Sequence, residues 1–240
     1  GVPAGDVAGP PCAPMPAPPE LDYEMWLGPA PPAPYTVNRV HPPKSYDRPG
    51  WMRVRDTCDG MICNWGAHLN DIAQWGNGTD RTGPVEVEGT GQFPADGLWD
   101  VLLKFQCRYR YASGVELFYG TSHPFVRFEG ERGWVEARFG GRPELQAEPS
   151  SLLAEALGPE EIRLPARGDK EDFIYAIRTG EETMESAEVG HRTNSLCQIG
   201  LIAVERGRRL LWDPQAERFT NDELANRMRT RPMRAPWGIG

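Results

Sequence analysis

The chain has 240 residues and a formal charge of −8, long enough for one sizeable core or two small ones and too acidic to favour nucleic acid, whose phosphates need clustered Lys and Arg. Hydrophobic residues at 39% and aromatics at 10% fit a globular protein, and no apolar run approaches the roughly 20 residues that span a bilayer. Gly1 to Pro19 carries no readable secretory leader, which is compatible with a cytoplasmic or an exported, periplasmic location.

Residues Gly1–Pro34 hold 11 of the 24 prolines, so they predict an extended, polyproline-like arm rather than helix or central strand. The arm is broken by one short helical turn at Leu21–Leu27, where Tyr23 and Trp26 favour docking over a free linker. The remainder, residues 35–240, is read as one domain. It opens with a loop, Tyr35–Asp56, that carries Asn38, Arg39, His41, Lys44, Tyr46, Trp51 and Arg53, and loops host function disproportionately.

A helix is predicted from Gly60 to Trp75. Met61, Trp65, Leu69, Ile72 and Ala73 form its apolar stripe. Asn64, His68 and Asp71 recur at i, i+4 and i+7 on another face, a hydrogen-bonding row beside the buried one. Gly76-Asn77-Gly78 supplies the stop. The five cysteines (Cys12, Cys58, Cys63, Cys107, Cys197) are odd in number and irregularly spaced, which is no disulfide framework. Cys63 and His68, five apart, diverge on a helix, so no metal site is expected.

Beyond the helix the period changes to two. Val85–Glu88, Asp100–Tyr111, Val115–Tyr119, Phe125–Glu129 and Trp134–Ala137 read as strands joined by short turns, hence an antiparallel sheet. Charged residues alternate along them, so one face is expected to take helices and the other to meet water or another subunit. The last third predicts helices at Ser150–Leu157, Asp169–Thr179, Ser186–Arg206 and from an Asn221-Asp222-Glu223 cap to Met228, with a strand at Leu210–Trp212. The fold class is α+β, a large mainly antiparallel sheet with helices on one face. No Gly-x-Gly-x-x-Gly follows a strand.

Several stretches, taken together, carry a resemblance. They are Asp22–Pro31, Asn64–Trp75, Phe128–Trp134, Gly190–Thr193 and Asn221–Met228. In this order, from about Leu21 to Trp237, the chain resembles the C-terminal portion of dehydrogenases of the Gfo/Idh/MocA type, the glucose–fructose oxidoreductase and inositol dehydrogenase group. The resemblance implies an α+β domain that binds a sugar or polyol and forms a homo-oligomer through its sheet face. It further implies a separate Rossmann domain that binds NAD or NADP and supplies a lysine from a Glu-Lys-Pro motif. Neither is in these residues, Lys44 and Lys170 standing in other contexts. The chain therefore corresponds to the second half of such an enzyme, expected to bind no cofactor and to turn nothing over alone.

The family motif Asp-x-x-x-His matches at His68, which the resemblance makes the acid/base acting on a substrate hydroxyl, whereas position 64 is Asn. Asparagine can hydrogen-bond a hydroxyl but cannot ionise. On spacing alone, His68 reads first as a helix histidine held by structural contacts. Arg39, His41, Arg53, Trp65, Asp71, His123 and His191 complete the substrate-facing candidates, each with a plainer use in ion pairs, packing or caps. Two alternatives stand beside a sugar oxidoreductase: a non-catalytic binding or assembly module, which Asn64 favours, and an NAD-dependent glycosidase acting through C3 oxidation.

Overall fold

The computed structural model describes residues 1–3, 9, 13–41, 48–139, 144–161 and 167–238. Cys12, Lys44 and Tyr46 lie outside the described residues. The elements in chain order are β1 (Val2–Pro3), α1 (Tyr23–Leu27), α2 (Val37–Val40), α3 (Met61–Asn64) and α4 (Gly66–Gly76). Next come β2 (Glu86–Gln92), β3 (Lys104–Arg110), β4 (Glu116–Ser122), β5 (Phe125–Gly130), β6 (Gly133–Arg138) and β7 (Glu144–Glu148). The chain continues with α5 (Asp169–Thr179), α6 (Ala187–Arg206), β8 (Leu210–Asp213), β9 (Arg218–Phe219) and α7 (Glu223–Arg227).

Two sheets result, a six-stranded one in the order β1-β4-β3-β2-β8-β9 and a three-stranded one in the order β5-β6-β7. All pairs are antiparallel except β1 with β4. The alternation of β3 explains why the large sheet is two-faced. Phe105, Cys107 and Tyr109 point inward and are buried, while Lys104, Gln106, Arg108 and Arg110 are exposed. The outward face is laced by ion pairs, Arg108 with Glu88 and Glu116, and Arg110 with Glu86. Amid them Phe118 is 66% exposed.

The inward face is covered by α6 and α4. Leu196, Cys197, Ile199 and Ala203 of α6 are buried against the strands, and the helix is bounded as its sequence dictates. Ser186 Oγ accepts from the Val189 amide at its start, and Gly207 takes a left-handed φ of 60° at its end. Close approach needs glycine: a Cβ at Gly200 would stand 2.1 Å from the Tyr109 hydroxyl oxygen. The four described cysteines are unbridged, and burial pushes the Cys107 thiol up to about 12, leaving it an inert packing group.

Three features depart from the sequence reading. The predicted helix from Gly60 to Trp75 is two helices that meet at Trp65. The Tyr119 hydroxyl donates to the Ile62 carbonyl at 2.7 Å, the oxygen that an unbroken helix would offer to the Gly66 amide. β1 and β7 arise where no strand was read; β7 is mostly exposed and gains its place by pairing with β6. Finally, α5 has the predicted bounds, but its apolar residues Phe173, Ile174 and Ile177 are 48–69% exposed. It is pinned instead by buried Asp172, which accepts from the Met184 amide (2.7 Å) and Arg167 Nε (3.1 Å).

The C-terminal motif has a clear structural use. Asp222 caps α7 by accepting from the Ala225 amide at 2.9 Å. Asn226 then reaches back to β9, its side-chain oxygen accepting from the Phe219 amide and its nitrogen donating to the Phe219 carbonyl, both at 2.8 Å. One buried amide thus does for Phe219 what a neighbouring strand would do. Asn226→Ala leaves both peptide groups unpaired, a loss of about 2–3 kcal/mol that urea denaturation of the variant will read as a lowered midpoint at unchanged slope.

Candidate functional site

The row Asn64, His68 and Asp71 survives the interruption because Trp65 keeps near-helical dihedrals (φ −74°, ψ −25°). Leu69, Ala73 and Ile62 hold the opposite side of α3–α4 in the core, which turns the row outward. Asn64 is half-buried, His68 is exposed and Asp71 is half-buried. The His68 ring meets the Trp65 indole edge-on, with centroids 6.1 Å apart.

Asp71 is the best-anchored member. Thr193 Oγ1, from α6, donates to its Oδ1 at 3.2 Å. Burial raises the Asp71 carboxyl above the usual range, against the pull of the Thr193 hydrogen bond. Glu185 rises further, to about 7, through desolvation first and then the charge and hydrogen bond of Asp71. Glu185 and Thr193 were not among the residues singled out in the sequence. Thr193 closes the Gly190–Thr193 motif, so that motif reaches the row through its threonine rather than its histidine.

The structure gathers Asn64, Trp65, His68 and Asp71 and sets the remaining candidates elsewhere. His191 Nε2 lies 2.7 Å from Glu217 Oε1 in a surface network that also takes Arg192. Arg39 and His41 belong to α2 and the residue after it, in the N-terminal layer. Arg53 is 2% exposed, its guanidinium 4.5 Å above the buried Trp99 ring, where it serves packing. His123 stacks on Phe125 (4.6 Å) and lines the cavity of about 740 Å³ enclosed by α4, β4, β5 and β6. That cavity takes the Leu69–Ala73–Gly76 side of α4, away from His68, so this hollow and the polar row occupy different sides of one helix.

Among the described residues, no group of three or more His, Cys, Asp or Glu could hold a metal ion, and no helix is long and apolar enough to cross a membrane. The starts of the three longest helices do not favour a pyrophosphate. Open amides at a helix N-terminus favour such an anion, but α5 begins with Asp169, Glu171 and Asp172, and α6 carries Glu188 in its first turn. The start of α4 is closed by side chains, a Cβ at Gly66 lying 2.6 Å from the Tyr119 hydroxyl.

Residues 9–239 match the model of the oxidoreductase family, C-terminal alpha/beta domain, of the Gfo/Idh/MocA group. The chain belongs to this family. The Gfo/Idh/MocA fold is also seen in solved structures. One is the aldose-aldose oxidoreductase of Caulobacter crescentus complexed with glycerol, with 19% identity over 67% of this chain and 50% of that one, at a TM-score of 0.52. Another, from Thermotoga maritima and described as an oxidoreductase, has 22% identity over 69% and 51%, at 0.51. Levoglucosan dehydrogenase, in complex with NADH and levoglucosan, matches at 14% identity over 65% and 52%, at 0.45. The chain thus spans about half the length of the solved relatives it matches. No curated protein matches it.

Proposed function

We propose that this chain is the substrate-binding half of an NAD(P)-dependent sugar or polyol oxidoreductase. The observation that carries the reading is His68, an exposed imidazole on the outward row of α4, backed by a half-buried carboxylate. Membership of the Gfo/Idh/MocA family supports it. Alcohol oxidation removes a hydroxyl proton and a hydride. His68 is the group that takes the proton, because imidazole ionises near neutral pH and Asn64, its neighbour one turn back, does not. Asn64 donates to or accepts from the same hydroxyl and fixes its direction. The hydride would pass to a nicotinamide held by other residues of the whole enzyme. The outward sheet face, with exposed Phe118 among its ion pairs, is the surface on which copies of the chain assemble.

The neutral residue at position 64 favours a second reading, a module that binds carbohydrate without transforming it. Asn64→Asp in the whole enzyme separates the two: a large gain in rate belongs to a weakened catalytic site, and no change to a binding module. The primary test needs only this chain. Aldoses and cyclic polyols titrated into the isotopically labelled 240-residue protein should shift backbone amides concentrated in Asn64–Asp71, and His68→Gln should weaken that response. Saturating carbohydrate that leaves α3 and α4 unperturbed would overturn the assignment.

A further inference from the structure

Two strands from different sheets leave open edges on the same hollow. Beside β4 the Tyr111 amide donates to the Val115 carbonyl, so by the alternation of an antiparallel ladder Leu117 and Tyr119 also turn their peptide groups to β3. The peptide groups of Glu116 and Phe118 therefore point the other way, and among the described residues no strand pairs with them there. Beside β5 the Phe139 amide donates to the Pro124 carbonyl, which turns Val126 and Phe128 to β6 and leaves the peptide groups of Arg127 and Glu129 open. Glu116, Phe118, Arg127 and Glu129 all line the cavity of about 740 Å³. Open main-chain groups along an edge are a template for a further strand.

β1 fixes what fits between the two edges. Val2 is paired parallel with Thr121 of β4. Gly1 exchanges both main-chain bonds with Phe125 of β5, accepting from its amide at 3.1 Å and donating to its carbonyl at 2.7 Å. Gly1 also lines the cavity, so at that end the gap between β4 and β5 is one strand wide and is bonded on both sides.

We propose that the cavity is a slot for one β-strand, filled in the whole enzyme by the stretch of polypeptide that leads into β1. The register of Gly1 and Val2 carries this stretch past Tyr119, Phe118, Leu117 and Glu116 on one side. On the other side it passes Val126, Arg127, Phe128 and Glu129. It runs parallel to β4 and antiparallel to β5, and its side chains alternate between the two faces. Those level with Tyr119 and Leu117 point toward the core, where Tyr119 and Val126 are buried and Leu69 of α4 lies, and must be apolar. Those level with Phe118 and Glu116 share the outward face with Arg127 and Glu129 and suit polar groups. A strand satisfies both rows of peptide groups along their length, and a small ligand does not. Once filled, the slot joins the six-stranded and three-stranded sheets into one. The slot does not depend on His68; it shares with the functional reading only the premise that this chain is half of a larger enzyme.

Amide hydrogen exchange, measured on this chain and on the whole enzyme, is the test. In the 240-residue protein the Phe118, Arg127 and Glu129 amides should exchange quickly, while Leu117, Tyr119, Val126 and Phe128, bonded to β3 or β6, are protected. In the whole enzyme the first group should slow by about 100-fold or more. Phe118→Pro deletes an amide that β3 does not use, so the 240-residue variant should fold with its β3–β4 amides protected. In the whole enzyme the same change should return Arg127 and Glu129 to fast exchange. Edge amides that exchange as fast in the whole enzyme as in this chain, with Leu117 and Tyr119 protected in both, overturn the slot. Protected edge amides in a whole enzyme whose turnover survives His68→Gln uphold the slot and overturn the functional reading instead.

Discussion

Gly200→Ala should destabilise the protein by about 1–5 kcal/mol, the reverse of what glycine-to-alanine does in an ordinary helix. Inside α6 the exchange gains about 1 kcal/mol of helix propensity. Against that stands the fully buried Tyr109, whose hydroxyl oxygen would lie 2.1 Å from the new methyl carbon. No real contact is so short, so either α6 lifts off β3 or the ring swings away and loses its 3.1 Å hydrogen bond to the Leu196 carbonyl. Overpacking costs about 1–3 kcal/mol, and the broken buried hydrogen bond about 1–3 more, so the loss outweighs the propensity gain. Gly200→Val should leave little folded protein. Tyr109→Phe removes the clashing oxygen and leaves ring carbon Cζ at 3.1 Å from the methyl position, which small shifts accommodate. The double variant Gly200→Ala/Tyr109→Phe should therefore be more stable than Gly200→Ala alone, a coupling that urea denaturation of the four-member cycle measures. Simple additivity would show that the close approach does not set the spacing between α6 and the sheet.

His68→Gln should lower kcat of the whole enzyme by about 100- to 10,000-fold, the range expected when a positioned acid/base is lost. Glutamine is a fair spatial match and still hydrogen-bonds a hydroxyl, so KM should change little and the loss should fall on kcat. His68 is exposed and its ring meets Trp65 edge-on, so the variant should fold with a melting temperature close to that of the parent. Asn64→Ala should raise KM more than it lowers kcat, because an uncharged amide orients the hydroxyl without taking its proton. A His68→Gln enzyme that retains its rate would assign the proton to a group outside this row.

Much of this architecture is written in local pattern. The strict alternation of β3, the hairpin turns and the span Asp169–Thr179 follow from side chains a few residues apart, and the structure reproduces them. The helix carrying Asn64 and His68 was equally legible, but its interruption was not, because the hydroxyl that claims the Ile62 carbonyl belongs to Tyr119 on β4. β7 escaped notice for a related reason: it has no core face of its own and is a strand only by virtue of β6. The apolar row of α5 misled in the opposite sense, since a helical period announces an amphipathic helix without saying that the chain covers it. In the candidate site, spacing placed Asn64, His68 and Asp71 on one row, but no spacing links Asp71 to Glu185 and Thr193. The Thr193 hydrogen bond exists only after α6 is laid beside α4.

The hold of Asn226 on β9 bears on how copies of this protein can meet. A bare outermost strand invites another chain to extend the sheet, the usual route to runaway polymerisation. Here both peptide groups of Phe219 are already occupied by one side chain. Lateral recruitment of a further strand is thereby stoppered at the β9 rim, where the peptide groups it would pair with are already taken.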